Sequence, residues 1–188
     1  MLAFAAFWQG AVPSQQPAVW LEVGLFQVEF GFVFDHLAQL MLLMVTGVGA
    51  VIHVFSVGYM EEDGGRGRYF GYLSLFMFSM IGIVLACNFI QMFIFWELVG
   101  LSSYLLIGFW YERDSAAQAA KKAFLVNKLG DCGFMLGILC VWTLAGTLNF
   151  LDLADVTNWP VQHIGTLRGF GETISLDITI TVTALLIF

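Results

Sequence analysis

Charge is the scarcest feature of this sequence. Charged residues make up 11% of the chain and hydrophobic ones 60%, against about 25% and 45–50% in soluble domains. That balance excludes a soluble enzyme and leaves a polytopic membrane protein. Cysteine is sparse, and Cys87, Cys132 and Cys140 form no CxxC pair and lie at or within apolar segments. They read as small packing residues, so the chain itself is expected to bind no metal or iron–sulfur cluster. The opening Met1-Leu2-Ala3-Phe4 lacks the basic n-region and small-residue cleavage site of a signal peptide.

Basic residues are missing from one side in particular. Residues 11–36 contain no Lys or Arg, and residues 146–177 contain only Arg168. Arg66, Arg68, Arg113, Lys121 and Lys122 instead occupy the loops after the first and third apolar spans. Five against one is a positive-inside signal that places those two loops in the internal compartment. The net charge of −7 comes from acidic residues gathered on the external side, and it gives no case for nucleic-acid binding.

What is present is apolar length. Crossing about 30 Å of hydrocarbon takes about 20 helical residues, and four segments qualify: Leu37–Val57, Tyr69–Cys87, Phe89–Phe109 and Ala123–Ala145. The fold class is therefore an all-α polytopic membrane protein, with residues 37–145 as a four-helix transmembrane core. Residues 1–10 are a partial apolar segment, and residues 178–188 read as the start of a truncated transmembrane helix. Both ends look cut, which predicts a fragment or end segments completed by another chain.

Residues 11–36 form an external segment punctuated by Pro13 and Pro17. Within Trp20–Asp35, Val28, Phe30, Phe32 and Phe34 alternate with Gln27, Glu29, Gly31 and Val33. Period-2 alternation with aromatics and a turn at Gly24 predict a small external β-hairpin; the alternative is an extended loop on the membrane surface. Asn88 marks a tight turn that makes spans two and three antiparallel neighbours. Ser115 offers an N-cap that would start helix four well before lipid, and Gly133 and Gly137 would permit close helix packing. Residues 146–177 form an external interfacial segment, in which TLNFLDLADV suits a short amphipathic helix.

Three ionisable residues fall inside the spans: Glu97 in the third, Lys128 and Asp131 in the fourth. A charge at the bilayer centre costs roughly 2.5–3.5 kcal/mol on insertion scales, so such residues are normally paired and used. Glu97 lies about 18 Å from the internal helix end at Phe109, and Lys128 and Asp131 about 20 and 24 Å from the same face. Antiparallel packing thus brings Glu97 and Lys128 to one level, and the i,i+3 spacing puts Asp131 on the face of Lys128. The group reads as a charge-gated proton relay, in which withdrawal of Lys128 favours protonation of Glu97 and its return favours release. A static ion pair that fixes helix packing is the alternative. His53, toward the internal end of span one, is either a packing residue or a proton shuttle. Ser102, Ser103, Thr46 and Asn127 either line a water wire or bond back to helix carbonyls.

HVFSVGYM, RYFGYLSLFMFSM, LACNFIQMFIFWELVGLSSYLLIGFWYER and AAKKAFLVNKLGDCGF closely resemble the antiporter-like L subunit (chain 5) of respiratory NADH:quinone oxidoreductase, complex I. The resemblance runs from about residue 26 to about residue 150, and its W-E-x-V-G-L-x-S-Y-L-L-I-G-F-W-Y core is long and specific. It implies an antiporter-like helix bundle with inverted repeats that couples distant quinone reduction to proton translocation. By resemblance, Glu97 matches the essential membrane glutamate, Lys128 a basic position that is often Arg, and Asp131 the acid of the same G-D motif. His53 falls in the H-x-[YF]-S-x-G-Y-M stretch. The resemblance also implies that NADH, FMN, iron–sulfur clusters and quinone belong to partner subunits. The expected partners are the other membrane subunits of complex I and the lipid bilayer, in a bacterial plasma membrane or an organellar inner membrane. The family's first helices, its broken-helix lysine and its second half find no counterpart in this sequence. Rival readings are the large subunit of a multisubunit cation/proton antiporter or membrane-bound hydrogenase, and a structural membrane subunit, which would gain little from three buried charges.

Overall fold

The computed structural model describes residues 14–15, 18–23 and 26–154. The expectations for residues 1–10, for Pro13 and Pro17, for residues 155–177 and for the run at 178–188 lie outside them. Among the described residues, four helices are long and apolar enough to cross a membrane: α1 (His36–Tyr59), α2 (Arg66–Val84), α3 (Phe89–Ile107) and α4 (Asp114–Ala145). A short α5 (Phe150–Ala154) follows. Consecutive helices pack on one another, α1 on α2, α2 on α3 and α3 on α4.

Local chemistry sets the helix ends. The Asp35 carboxylate accepts from Ala38 N at 2.6 Å and starts α1, satisfying one of the orphan amides of a helix N-terminus. The Asn88 side chain does the same for α3, accepting from Gln91 N at 2.8 Å. At the far end of α4, Gly146 adopts a left-handed conformation with φ of 71°, and its N–H donates to Trp142 O at 2.8 Å. Glycine takes that conformation without the steric cost a Cβ would bring. The N-cap expected at Ser115 is not the one used. Helix α4 begins at Asp114 after an extended Arg113 that makes no side-chain cap bond. Ser115 thus lies inside the first turn, and the Arg113 guanidinium sits 5.4 Å from the Trp110 ring centre.

Small residues let the helices approach, as membrane interfaces require. On α1 the buried positions are Ala38, Gln39, Gly49 and Ser56; of these Gly49 meets Met77 of α2 and Ser56 Oγ lies 3.3 Å from Tyr69 OH of α2. The buried Gln39 amide makes no hydrogen bond among the described residues. Between α2 and α3, Gly82 lies under the Phe95 ring.

Among the described residues, four short strands precede the bundle. Strands β2 (Ala18–Val23) and β3 (Phe26–Phe30) pair antiparallel with a register shift between Val19 and Leu21. They form the expected hairpin; the turn expected at Gly24 lies outside the described residues. Strands β1 (Ser14–Gln15) and β4 (Val33–Phe34) pair separately. The alternation that pointed to a strand reaching Asp35 is broken after Phe30 because the backbone turns onto the helices. Gly31 N donates to Gln91 Oε1 at 3.3 Å, and Val33 N to Leu85 O at 3.0 Å. Asn88, on the α2–α3 turn, donates its side-chain N–H to Glu29 O. The segment before α5 joins this junction, since Asn149 Nδ2 donates to Glu29 Oε2 at 3.1 Å. Leu148 then buries itself against Phe134 and Ile138 of α4.

Candidate functional site

The antiparallel α3–α4 seam carries the intramembrane charges. On α3, Glu97 faces α4, where Lys128 and Asp131 sit at i and i+3 on one helix face. The Lys128 ammonium donates to the Glu97 carboxylate and also to Asp131 Oδ2 at 3.1 Å. One cation thus bridges two carboxylates from two helices. Asp131 is buried, at 7% exposure, whereas the side chains of Lys128 and Glu97 each remain about one-third open, at 36% and 32%.

Aromatic pairs bracket the cluster along the seam. Toward the start of α3, Phe93 and Trp96 both pack edge-on against Phe134, with ring centres 5.6 and 5.9 Å apart. Toward its end, Tyr104 packs against Phe124 at 5.4 Å. The Phe124 ring also lies 5.3 Å from the Lys128 ammonium, where its quadrupole attracts the cation. The Phe124 ring thus gives the ammonium a third contact beside its two carboxylates. Such a cluster can shift a single positive charge between two acids, and a proton can take its place on the one left behind.

His53 is not part of this group. It lies on the α1–α2 seam, where Nδ1 is 2.8 Å from Gly49 O one turn earlier and the ring faces Phe70 at 6.3 Å. Two hydroxyls considered for a water path bond backward along their own helices: Thr46 Oγ1 to Leu42 O at 2.7 Å and Ser102 Oγ to Val99 O at 3.0 Å. Asn127 stands nearer the charges, its Nδ2 3.6 Å from where a Cβ on Gly100 would lie.

Sequence reasoning missed the polar tie at the opposite end from the hairpin. Trp110 Nε1 donates to Asp63 Oδ2 at 3.0 Å, joining the loop after α1 to the loop after α3. The two basic loops therefore share one end of the bundle, as the positive-inside count requires. Asp63 Oδ1 also accepts from Gly65 N at 2.7 Å. These two bonds, Trp110 first, hold the Asp63 carboxyl below its ordinary value. The D-G-G turn and the Trp just after the third span were the available signals.

Residues 20–70 match a family model described as NADH-Ubiquinone oxidoreductase (complex I), chain 5 N-terminus. Residues 86–187 match that of the NADH:quinone oxidoreductase/Mrp antiporter transmembrane region. The NADH-quinone oxidoreductase subunit L of Mycobacterium tuberculosis (strain ATCC 25618 / H37Rv) is 49% identical over 136 residues, covering 72% of this chain and 22% of that protein. NAD(P)H-quinone oxidoreductase chain 5 of Synechocystis sp. is 46% identical over 147 residues, covering 78% and 22%. Among solved structures, a chain of the Mrp complex from Dietzia sp. DQ12-45-1b aligns with a TM-score of 0.77 and 26% identity, over 98% of this chain and 18% of its own length. The chain thus spans about a fifth of the length of the curated relatives it matches.

Proposed function

Because this chain belongs to the NADH:quinone oxidoreductase/Mrp antiporter transmembrane family, we propose that it forms part of a proton-translocating membrane subunit of an NADH:quinone oxidoreductase. The observation that supports this reading is the Lys128 ammonium bridging Glu97 and Asp131 between two spans. When Lys128 rests on both acids, Glu97 is neutralised by the ammonium. When Lys128 moves fully onto Asp131, a proton replaces the ammonium as the neutralising charge on Glu97. Return of Lys128 expels that proton. Asp131 is thus the alternate seat of the cation, and Glu97 is the group that loads and unloads. His53, on the neighbouring seam, would pass protons toward the end that carries the basic loops. In this proposal NADH, flavin, iron–sulfur and quinone chemistry reside in partner subunits, and the energy reaches this seam as a conformational or electrostatic push on Lys128.

The test is proton release by membrane vesicles carrying the whole subunit, with Glu97→Gln and Glu97→Ala compared with the parent. Both should lose pumping by about a hundredfold, the low end of what a positioned proton-transfer group contributes. Pumping equal to the parent's in either variant overturns the relay. A second reading, a subunit of an Mrp-type cation/proton antiporter, is favoured by the fold match to the Dietzia complex. Neighbouring genes for flavin and iron–sulfur proteins support the first reading, and neighbours encoding only membrane subunits support the second.

A further inference from the structure

At the end of the bundle that carries the basic loops, a cleft of about 320 Å³ opens between α2, α3 and α4. Arg68 and Lys121 line it together with Tyr72, Tyr104, Tyr111 and Leu105, and among the described residues no carboxylate does. Two cations and three phenol groups therefore surround a space whose remaining wall is apolar. A wider recess beside it shares Arg68 but is also lined by Asp63 and Glu112, whose carboxylates make it the poorer place for an anion. The Arg68 guanidinium is held in place rather than swinging in solvent. It donates to Phe109 O at 3.2 Å and lies 4.9 and 5.2 Å from the ring centres of Phe109 and Tyr111.

Position decides what such a cleft takes. Arg68 stands in the first turn of α2, Tyr104 in the last turn of α3, and Lys121 two turns into α4, so the cations lie where the apolar spans end. A ligand there meets headgroup depth with its charge and the hydrocarbon with its tail. We propose that this cleft binds the phosphate of an anionic phospholipid between Arg68 and Lys121, with the acyl chains running along Leu105 and the α2–α3 surface. The phenol hydroxyls of Tyr72 and Tyr104 supply donors to the phosphate or glycerol oxygens. Charge complementarity selects an anionic lipid, and the apolar wall selects a lipid over a free phosphate ion.

The experiment is native mass spectrometry of the full subunit, released from membranes of phosphatidylcholine with a minority of phosphatidylglycerol. The parent should retain phosphatidylglycerol in preference to phosphatidylcholine. Lys121→Gln should cut that preference about fivefold, the equivalent of about 1 kcal/mol for a basic residue at a lipid surface. Lys122→Gln, which removes the same charge from a residue outside the cleft, should change it by less than half as much. Arg68→Gln should match or exceed Lys121→Gln; since it also breaks the Phe109 bond, the Lys121 variant, which leaves every bond described here intact, decides the matter. Equal effects of Lys121→Gln and Lys122→Gln would reduce the cleft to general surface charge and overturn the proposal. Displacement of the lipid by tens of millimolar inorganic phosphate would instead make this a free-anion site and overturn it as well.

Discussion

Two helix seams in this bundle use polar residues in opposite ways. On the α3–α4 seam, charges from both helices meet: Lys128 on Glu97 and Asp131. On the α1–α2 seam, the polar groups are hydroxyls and an imidazole. Ser56 Oγ lies 3.3 Å from Tyr69 OH, while His53 Nδ1 and Thr46 Oγ1 lie within bonding distance of carbonyls of their own helix. Groups that bond backward place little demand on the neighbouring helix. An ammonium shared by two acids cannot be replaced so freely, because removing it leaves two carboxylates without a counter-charge where water is scarce. The α1–α2 seam is therefore the more tolerant of substitution, and the α3–α4 seam the less.

The sharpest way to break that contrast is to remove the shared cation. Lys128→Ala leaves Glu97 and Asp131 facing each other without a counter-charge. It should cost about 3 kcal/mol, the low end for breaking a buried pair because a third of Lys128 and of Glu97 stays open. Ser56→Ala, on the other seam, should cost about 1 kcal/mol, the net contribution of one neutral hydrogen bond. Unfolding of the detergent-solubilised subunit measures both. Equal losses in the two variants would mean that the charges contribute no more than ordinary packing.

A second comparison concerns how closely the helices meet. A side chain at Gly82 would overlap the Phe95 ring, whereas nothing lies within 4 Å of where a Cβ on Gly71 would stand. Gly82→Val should therefore destabilise the protein by about 1–3 kcal/mol through overpacking. Gly71→Ala on the same helix should stabilise it by up to about 1 kcal/mol through helix propensity. Thermal unfolding read by circular dichroism separates the two, and a harmless Gly82→Val would show that the α2–α3 seam is looser than drawn. Phe95 lies two residues before Glu97, so a shift there would also turn Glu97 relative to Lys128.

That coupling explains which parts of the molecule the sequence made legible. The four spans followed from apolar length, and the matching depth of Glu97 and Lys128 followed from counting residues along antiparallel helices. Asp131 joined them through the i,i+3 spacing. Rotational phase did not follow, because α3 has little polar asymmetry to orient it and its facing is set by Gly82 under Phe95 and by Trp96 against Phe134. The hairpin was legible in its existence but not in its extent, since Gly31 leaves the β2–β3 pairing for a bond to Gln91, and Val33, paired with Gln15 in a separate strand, also gives its N–H to Leu85. Ser115 looked like a cap because of its type, but Arg113 takes the extended position before the helix. His53 could not be separated from the cluster by sequence, since its helix alone does not say which neighbour it meets.

The smallest expected effect lies where the two seams are joined at their loops. Asp63 accepts from Trp110 Nε1 and Gly65 N, and both bonds favour the ionised carboxylate, which is why its titration is displaced downward. A group lowered by folding stabilises the folded state fully above the unfolded carboxyl's value of about 3.9. That contribution fades as pH falls through the lower folded value. Hydrogen exchange of the Gly65 amide, corrected for its intrinsic rate, should therefore stay protected at neutral pH and lose protection only in the acid range, below an ordinary aspartate's midpoint. Asp63→Asn should remove that acid step, because an amide does not titrate there. The effect should stay local, since Asp63 is at the surface and exposed charges contribute little to global stability. A Gly65 amide whose protection does not change across the acid range would mean that the loops are held by the Arg68 and Phe109 contacts instead, and that the two seams share an end without being tied through Asp63.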